Sequence, residues 1–247
     1  MPPLHSPQAV FSIRHAPSWF SLAFAAGAVN AGAFLACERF VTHVTGTVTR
    51  IGLDVGVWTL VADYAIVAAC FIAGATASVW FIDGRLCREK EALWAAPLLL
   101  VSTILTSVAI AGSLGAFGVF GGSVESARDF FLLSILAFAM GLQNASVASS
   151  TGNAVRTTHM TGPASDLGVS LGTAIFASGR ARTAALRAAA VRAGKIASFI
   201  LGAAVMVPLA RHAGYTALLL PSAIIVIAAA LSFVPQPATT ATTGETS

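Results

Sequence analysis

Apolar residues in this chain fall into long runs broken by short polar stretches. A bilayer core about 30 Å thick is crossed by a helix of roughly 20 apolar residues. Six runs reach or approach that length, at about 19–37, 60–82, 93–120, 130–149, 196–210 and 215–234. The third is long enough to tilt or to end in a glycine-rich cap (Gly112, Gly115, Gly118, Gly121, Gly122), the fifth is short and carries Pro208, and the sixth has Pro221 near its start. Two connections, 38–59 and 150–178, are too polar to face lipid and too apolar and glycine-spaced for an open loop. Helical period over 47–60 and 163–176, with Pro163 suited to a first turn, predicts a half-helix in each that dips back into the protein. Irregular backbone survives at membrane depth only where protein or water satisfies it.

The two polar connections repeat each other. Thr42-His43-Val44-Thr45-Gly46 recurs as Thr158-His159-Met160-Thr161-Gly162, with Gly52 and Gly56 matching Gly168 and Gly172. Upstream, Gly27-Ala-Val-Asn30-Ala matches Gly141-Leu-Gln-Asn144-Ala; downstream, Phe71-Ile-Ala-Gly-Ala75 matches Phe199-Ile-Leu-Gly-Ala203. Three matches in one order point to an internal duplication. The expected fold is therefore an all-α membrane protein of about six transmembrane helices in two three-helix repeats, each with a broken or re-entrant half-helix after its first span. Three spans is an odd number, which would invert the second copy relative to the first, as in many secondary transporters. Half-helices that crossed fully would instead make the copies parallel. The predicted divisions are a tail at 1–17, a first repeat at 18–122, a second at 123–234 with a basic insertion at about 179–195, and a disordered tail at 235–247.

Composition supports lipid as the solvent. The chain of 247 residues is 56% hydrophobic and 10% charged, with mean hydropathy +0.82, whereas soluble domains carry about 25% charged residues. A net charge of +4, concentrated in short loops, reads as membrane orientation and excludes nucleic acid as a partner. Ten of the 14 Lys and Arg residues fall on the side of both termini, which the positive-inside rule places in the cytoplasm. The Ala/Arg insertion, with five basic residues and no acid, is expected to lie on that face against anionic lipid. Cys37, Cys70 and Cys87 share no metal or disulfide spacing, and no cofactor is expected.

The repeated motif is the candidate site. Thr45 and Thr161 are placed to cap a helix start, and Gly46 and Gly162 to let the chain turn. His43 and His159 can donate, accept or titrate. Polar groups inside a membrane are costly, so their reuse favours function; the alternative is that they only satisfy broken backbone. Thr42, Thr158, Asn30, Asn144 and Arg156 complete the candidate substrate-binding set, although each Asn could equally bond its own repeat's half-helix. Gly52/Gly56 and Gly168/Gly172 are small-x-x-x-small pairs expected, with Gly46 and Gly162, to pack helices closely. At aligned positions the copies carry Arg50 and Asp166, which would form an ion-pair gate or lock, with Asp54 one turn on as Arg50's alternative partner.

These motifs, Phe-Val-Thr-His-Val-Thr-Gly and Arg-Thr-Thr-His-Met-Thr-Gly with the two Asn-Ala segments, resemble the YoaK-like family of multi-spanning bacterial membrane proteins of unknown function, over about 18–234. The resemblance implies a bacterial inner-membrane location and supplies no catalytic residues. The sequence reading is a small secondary transporter for a small polar or anionic solute, against a membrane scaffold or sensor in which the motifs only hold the repeats together. An enzyme has little support: H-E-x-x-H is absent, and two histidines with threonines fall short of a metal site. A homodimer is left open.

Overall fold

The computed structural model describes Leu4 and residues 15–122, 126–153 and 155–233; the expected tails at 1–17 and 235–247 fall almost wholly outside these. Among the described residues the chain is all-helical. Helix α1 spans Ala16–Cys37, α2 Val44–Leu53, α3 Trp58–Phe81, α4 Asp83–Leu86, α5 Ala96–Ser113, α6 Ala127–Ser150, α7 Thr161–Phe176, α8 Gly179–Ala213 and α9 Leu219–Ser232, the last preceded by a 3-10 turn at Gly214–Leu218. By length and composition, five continuous stretches can cross a membrane, because α8 and α9 run together as Gly179–Ser232. The protein is a multi-spanning membrane protein.

Local chemistry sets the helix ends. Pro17 and Pro97 open α1 and α5 within their first two residues, where a missing N–H costs nothing. Ser126 and Asp129 form a reciprocal capping box at the start of α6. Helix α5 stops at Ser113 rather than running on to 120, because Gly115, Gly118 and Gly121 turn through positive φ, which only glycine adopts without strain. Helix α2 begins at Val44 and ends at Leu53, short of the expected 60; Gly56, at φ 108°, turns the chain into α3.

The basic insertion differs from the expected surface helix. Residues 179–195 are the first half of α8, one continuous helix of 35 residues that runs through Pro208. At 1.5 Å per residue it is about 52 Å long, well beyond a hydrocarbon core. An Ala/Arg stretch has high helix propensity, so nothing stops the span's helix from extending through it. Helix α9 has only 14 residues, and its 3-10 lead brings the crossing to about 30 Å.

Two helix crossings form the centre. Helices α1 and α8 run side by side in the same direction, with Phe20 against Gly194, Gly27 against Phe199, Gly202 against Phe24 and Gly32 against Met206. Helices α3 and α6 do likewise, with Tyr64 on Phe130, Phe71 against Gly141, Gly74 against Phe138, and Asp83 accepting from Ser149. A Cβ at Gly27, Gly202, Gly74 or Gly141 would strike the carbonyl of Phe199, Phe24, Phe138 or Phe71 respectively. Backbones therefore touch at both crossings, the arrangement that substitutes for hydrophobic drive in lipid. The crossings correspond under the sequence repeat: each joins the first helix of one copy to the second helix of the other. Helix α1 runs opposite to α6, since Gln143 late in α6 donates to the Leu22 carbonyl early in α1.

The glycines expected to pack helices do not. A Cβ at Gly52, Gly56, Gly168 or Gly172 would meet nothing within 4 Å. Helix α2 buries no residue, and α7 buries only Ser170 and Ala174. Gly46 and Gly162 instead make room for a histidine ring, as described below. Spacing identified small-residue stripes, but the covered stripes lie on α1, α3, α6 and α8.

Candidate functional site

After α1 the chain turns back so that Thr42 lies beside Asn30, whose Oδ1 accepts the Thr42 N–H at 3.0 Å. After α6 the same geometry recurs, with the Thr158 N–H donating to Asn144 Oδ1 at 3.3 Å. Each asparagine thus holds the returning backbone of its own motif and satisfies one of its amides. Both asparagines also border the cavity described next, so the two roles coexist.

The motifs meet across one cavity of about 420 Å³. Asn30, Thr42, His43 and Thr45 line it from the first copy, and Asn144, Thr158, His159, Thr161 and Arg156 from the second. Phe71 and Phe199, the aromatic residues of the two crossings, and Phe40 supply its apolar wall. Every residue expected for substrate binding borders this space. Among the described residues no aspartate or glutamate does.

Histidine, not threonine, sits at or beside the starts of α2 and α7. His159 Nε2 accepts the Gly162 N–H at 3.0 Å, taking one of the free amides of the first turn of α7. His43 is the N-cap residue of α2, and its ring lies where a side chain on Gly46 would otherwise be. Neither Thr45 nor Thr161 makes a capping bond. The helices begin one or two residues earlier than the Thr-Gly pattern suggested, which moves the capping position back onto or beside the imidazole. Each ring also borders a second, smaller space: His43 one shared with Arg50 and Tyr64, His159 one shared with Asp166, Arg192 and Lys195.

The expected Arg50–Asp166 pair is absent. Arg50 lies 3.9 Å from Asp54 on its own helix and against the Tyr64 ring. Asp166 lies 3.6 Å from Arg192 of α8, which also donates to Ser170. Because α3 packs on α2 and α8 on α7, position 50 faces Tyr64 and position 166 faces Arg192, the residue equivalent to Tyr64. Partner identity thus follows the repeat. Reversing both charges, Arg50→Asp with Asp166→Arg, is expected to restore nothing relative to the single variants. Asp166→Ala alone should change thermal stability by less than about 1 kcal/mol, because that carboxylate is mostly exposed.

Three residues of the site escaped the sequence reading. Lys195 is buried, and its ammonium donates to the carbonyls of Arg156 and, at 3.1 Å, His159. Gln143, fully buried, donates to Thr157 Oγ1 at 3.0 Å as well as to Leu22, while its Oε1 has no protein partner. In the first copy the equivalents of Gln143, Thr157 and Lys195 are Val29, Val41 and Val67. The departures from symmetry were the available signal, and three valines opposite three polar residues mark the second motif as the one held by additional side chains beyond its asparagine.

A family model described as a protein of unknown function (DUF1275) matches residues 19–231. No curated protein and no solved structure is similar enough to be matched.

Proposed function

Because the chain belongs to the DUF1275 family of uncharacterised multi-spanning membrane proteins, to which we assign the earlier YoaK-like resemblance, we propose its function from geometry: a small secondary transporter, not an enzyme, binding a small polar or anionic solute in the central cavity. The observation that carries this reading is that both copies of a duplicated polar motif line one space at the crossing of the four inner helices. In this reading the repeats (18–122 and 123–234) are inverted three-span units, and α2 and α7 are re-entrant half-helices. Support comes from the opposed directions of α1 and α6 and from the return of each motif to an asparagine within its own first helix. Sites at broken helices between inverted repeats suit alternating access. We place the protein in the bacterial inner membrane with both termini cytoplasmic, the side of the basic first half of α8.

One set of observations favours a scaffold instead: Asn30, Asn144 and His159 each satisfy a motif amide, as a purely structural motif would require. The two readings separate in a thermal-stability screen of detergent-purified protein against small anions and polar metabolites, run beside His43→Gln/His159→Gln. A ligand at 100 times its dissociation constant adds about 2.7 kcal/mol. The transporter reading expects such a shift in the wild type, its loss in a folded double variant, and uptake of that ligand into proteoliposomes. No shift with any ligand, together with a variant that only melts earlier, establishes the scaffold.

A further inference from the structure

The central cavity is symmetric in its motif residues and asymmetric at one pair of positions. Phe40 and Arg156 stand in equivalent places, two residues before Thr42 and Thr158, and both line the cavity. We infer that the ligand is an amphiphilic organic anion, its carboxylate toward Arg156 and its apolar body toward Phe40; this rests on the reading of the cavity as a ligand site.

Hydrogen-bonding chemistry narrows the polar end. Asn30 and Asn144 each use Oδ1 to accept a backbone N–H, which leaves the two donors of each NH₂ group free and one lone pair on each Oδ1. His159 uses Nε2 as an acceptor, so in the neutral ring the remaining nitrogen is the donor. The Arg156 guanidinium makes no hydrogen bond or ion pair among the described residues, and its backbone is held from behind by Lys195. The one charged side chain bordering the cavity among the described residues is Arg156, a donor only. Its complement is a ligand with an anionic, accepting end. Arg156 is exposed and forms no ion pair among the described residues, and a carboxylate at the cavity would give it one.

The other end is aromatic. Phe40 is fixed by stacking on Phe34, with ring centroids 4.6 Å apart and an interplanar angle of 19°, yet it is 47% exposed. An aromatic or branched aliphatic body would cover that face.

The test uses full-length protein in nanodiscs and four probes, benzoate, acetate, benzamide and benzylamine, with binding read by calorimetry. Benzoate is expected to bind at least about tenfold more tightly than acetate and benzamide, and benzylamine not at all. Arg156→Gln should erase the preference for benzoate over benzamide, and Phe40→Ala the preference for benzoate over acetate, with the melting temperature of the unliganded protein checked in each. Equal or better binding of benzamide or benzylamine, lost in His43→Gln/His159→Gln, overturns the anionic class and leaves the ligand site standing. Benzoate binding unchanged in all three variants places it elsewhere and overturns the inference. So does absence of binding by any probe; the site itself then stands or falls with the wider screen above.

Discussion

Gly27→Ala should unfold or strongly destabilise the protein, while Gly168→Ala should leave it unharmed. At Gly27 the added carbon would lie on the Phe199 carbonyl. Overpacking that flexible side chains can absorb costs about 1–3 kcal/mol. Here the obstacle is backbone on another helix, so the expected loss is about 3 kcal/mol or more. Gly202, Gly74 and Gly141 meet carbonyls in the same way and should behave alike. Gly168 and Gly172 meet nothing, and replacing an open helical glycine by alanine gains up to about 1 kcal/mol. Thermal unfolding in detergent, ranked over these six variants, checks the contrast. Pairing adds a sharper test. Gly27→Ala with Gly202→Ala acts on one crossing, where the first substitution already separates the helices, so the effects should be less than additive. Gly27→Ala with Gly141→Ala acts on different crossings and should add. Equal tolerance at all six positions would mean that the helices do not approach this closely.

Lys195→Met should loosen the second motif specifically. The methionine keeps the length and removes both bonds, leaving the Arg156 and His159 carbonyls without their donor. Hydrogen bonds to a charged group contribute about 1.5–3 kcal/mol each, so a loss of about 3 kcal/mol is expected after relaxation. The fall in stability should come with faster amide hydrogen exchange over 155–162 and unchanged exchange over 40–46. The first motif is the internal control, since Val67 stands where Lys195 does. If exchange rises equally in both motifs, the lysine stabilises the bundle as a whole and does not anchor one segment.

The long apolar runs were legible because their length alone decides that they are helices in lipid, and the start and end of α1, α3 and α6 lie within about three residues of the expected ones. Helices α8 and α9 were harder. The Arg-rich stretch before 196 looks like a boundary by charge, yet helix propensity carries the backbone straight through it. The cavity was half legible. His43, His159 and their threonines stood out because polar residues repeated inside an apolar chain are conspicuous. Phe40, Phe71 and Phe199 did not, since an aromatic residue in such a chain reads as filler. The Arg50–Asp166 pairing failed because aligned positions in a duplication occupy equivalent places, which need not be adjacent ones. The Gly52/Gly56 and Gly168/Gly172 pairs failed similarly, while Gly27 and Gly141, matched in the repeat, do pack: spacing reveals a smooth stripe, and only the tertiary crossing shows what, if anything, covers it.

The reciprocal crossings also have a consequence in time. The surface of α1 around Gly27 is completed only by the α8 segment around Gly202, which leaves the ribosome roughly 175 residues later. At about 5–20 residues per second, α1 waits roughly 10–35 s in the bilayer with its glycine face open. Helix α3 waits on α6 for a shorter interval. The crossing of α3 with α6 can therefore close before α8 has emerged, whereas that of α1 with α8 cannot close until Gly202 has been made.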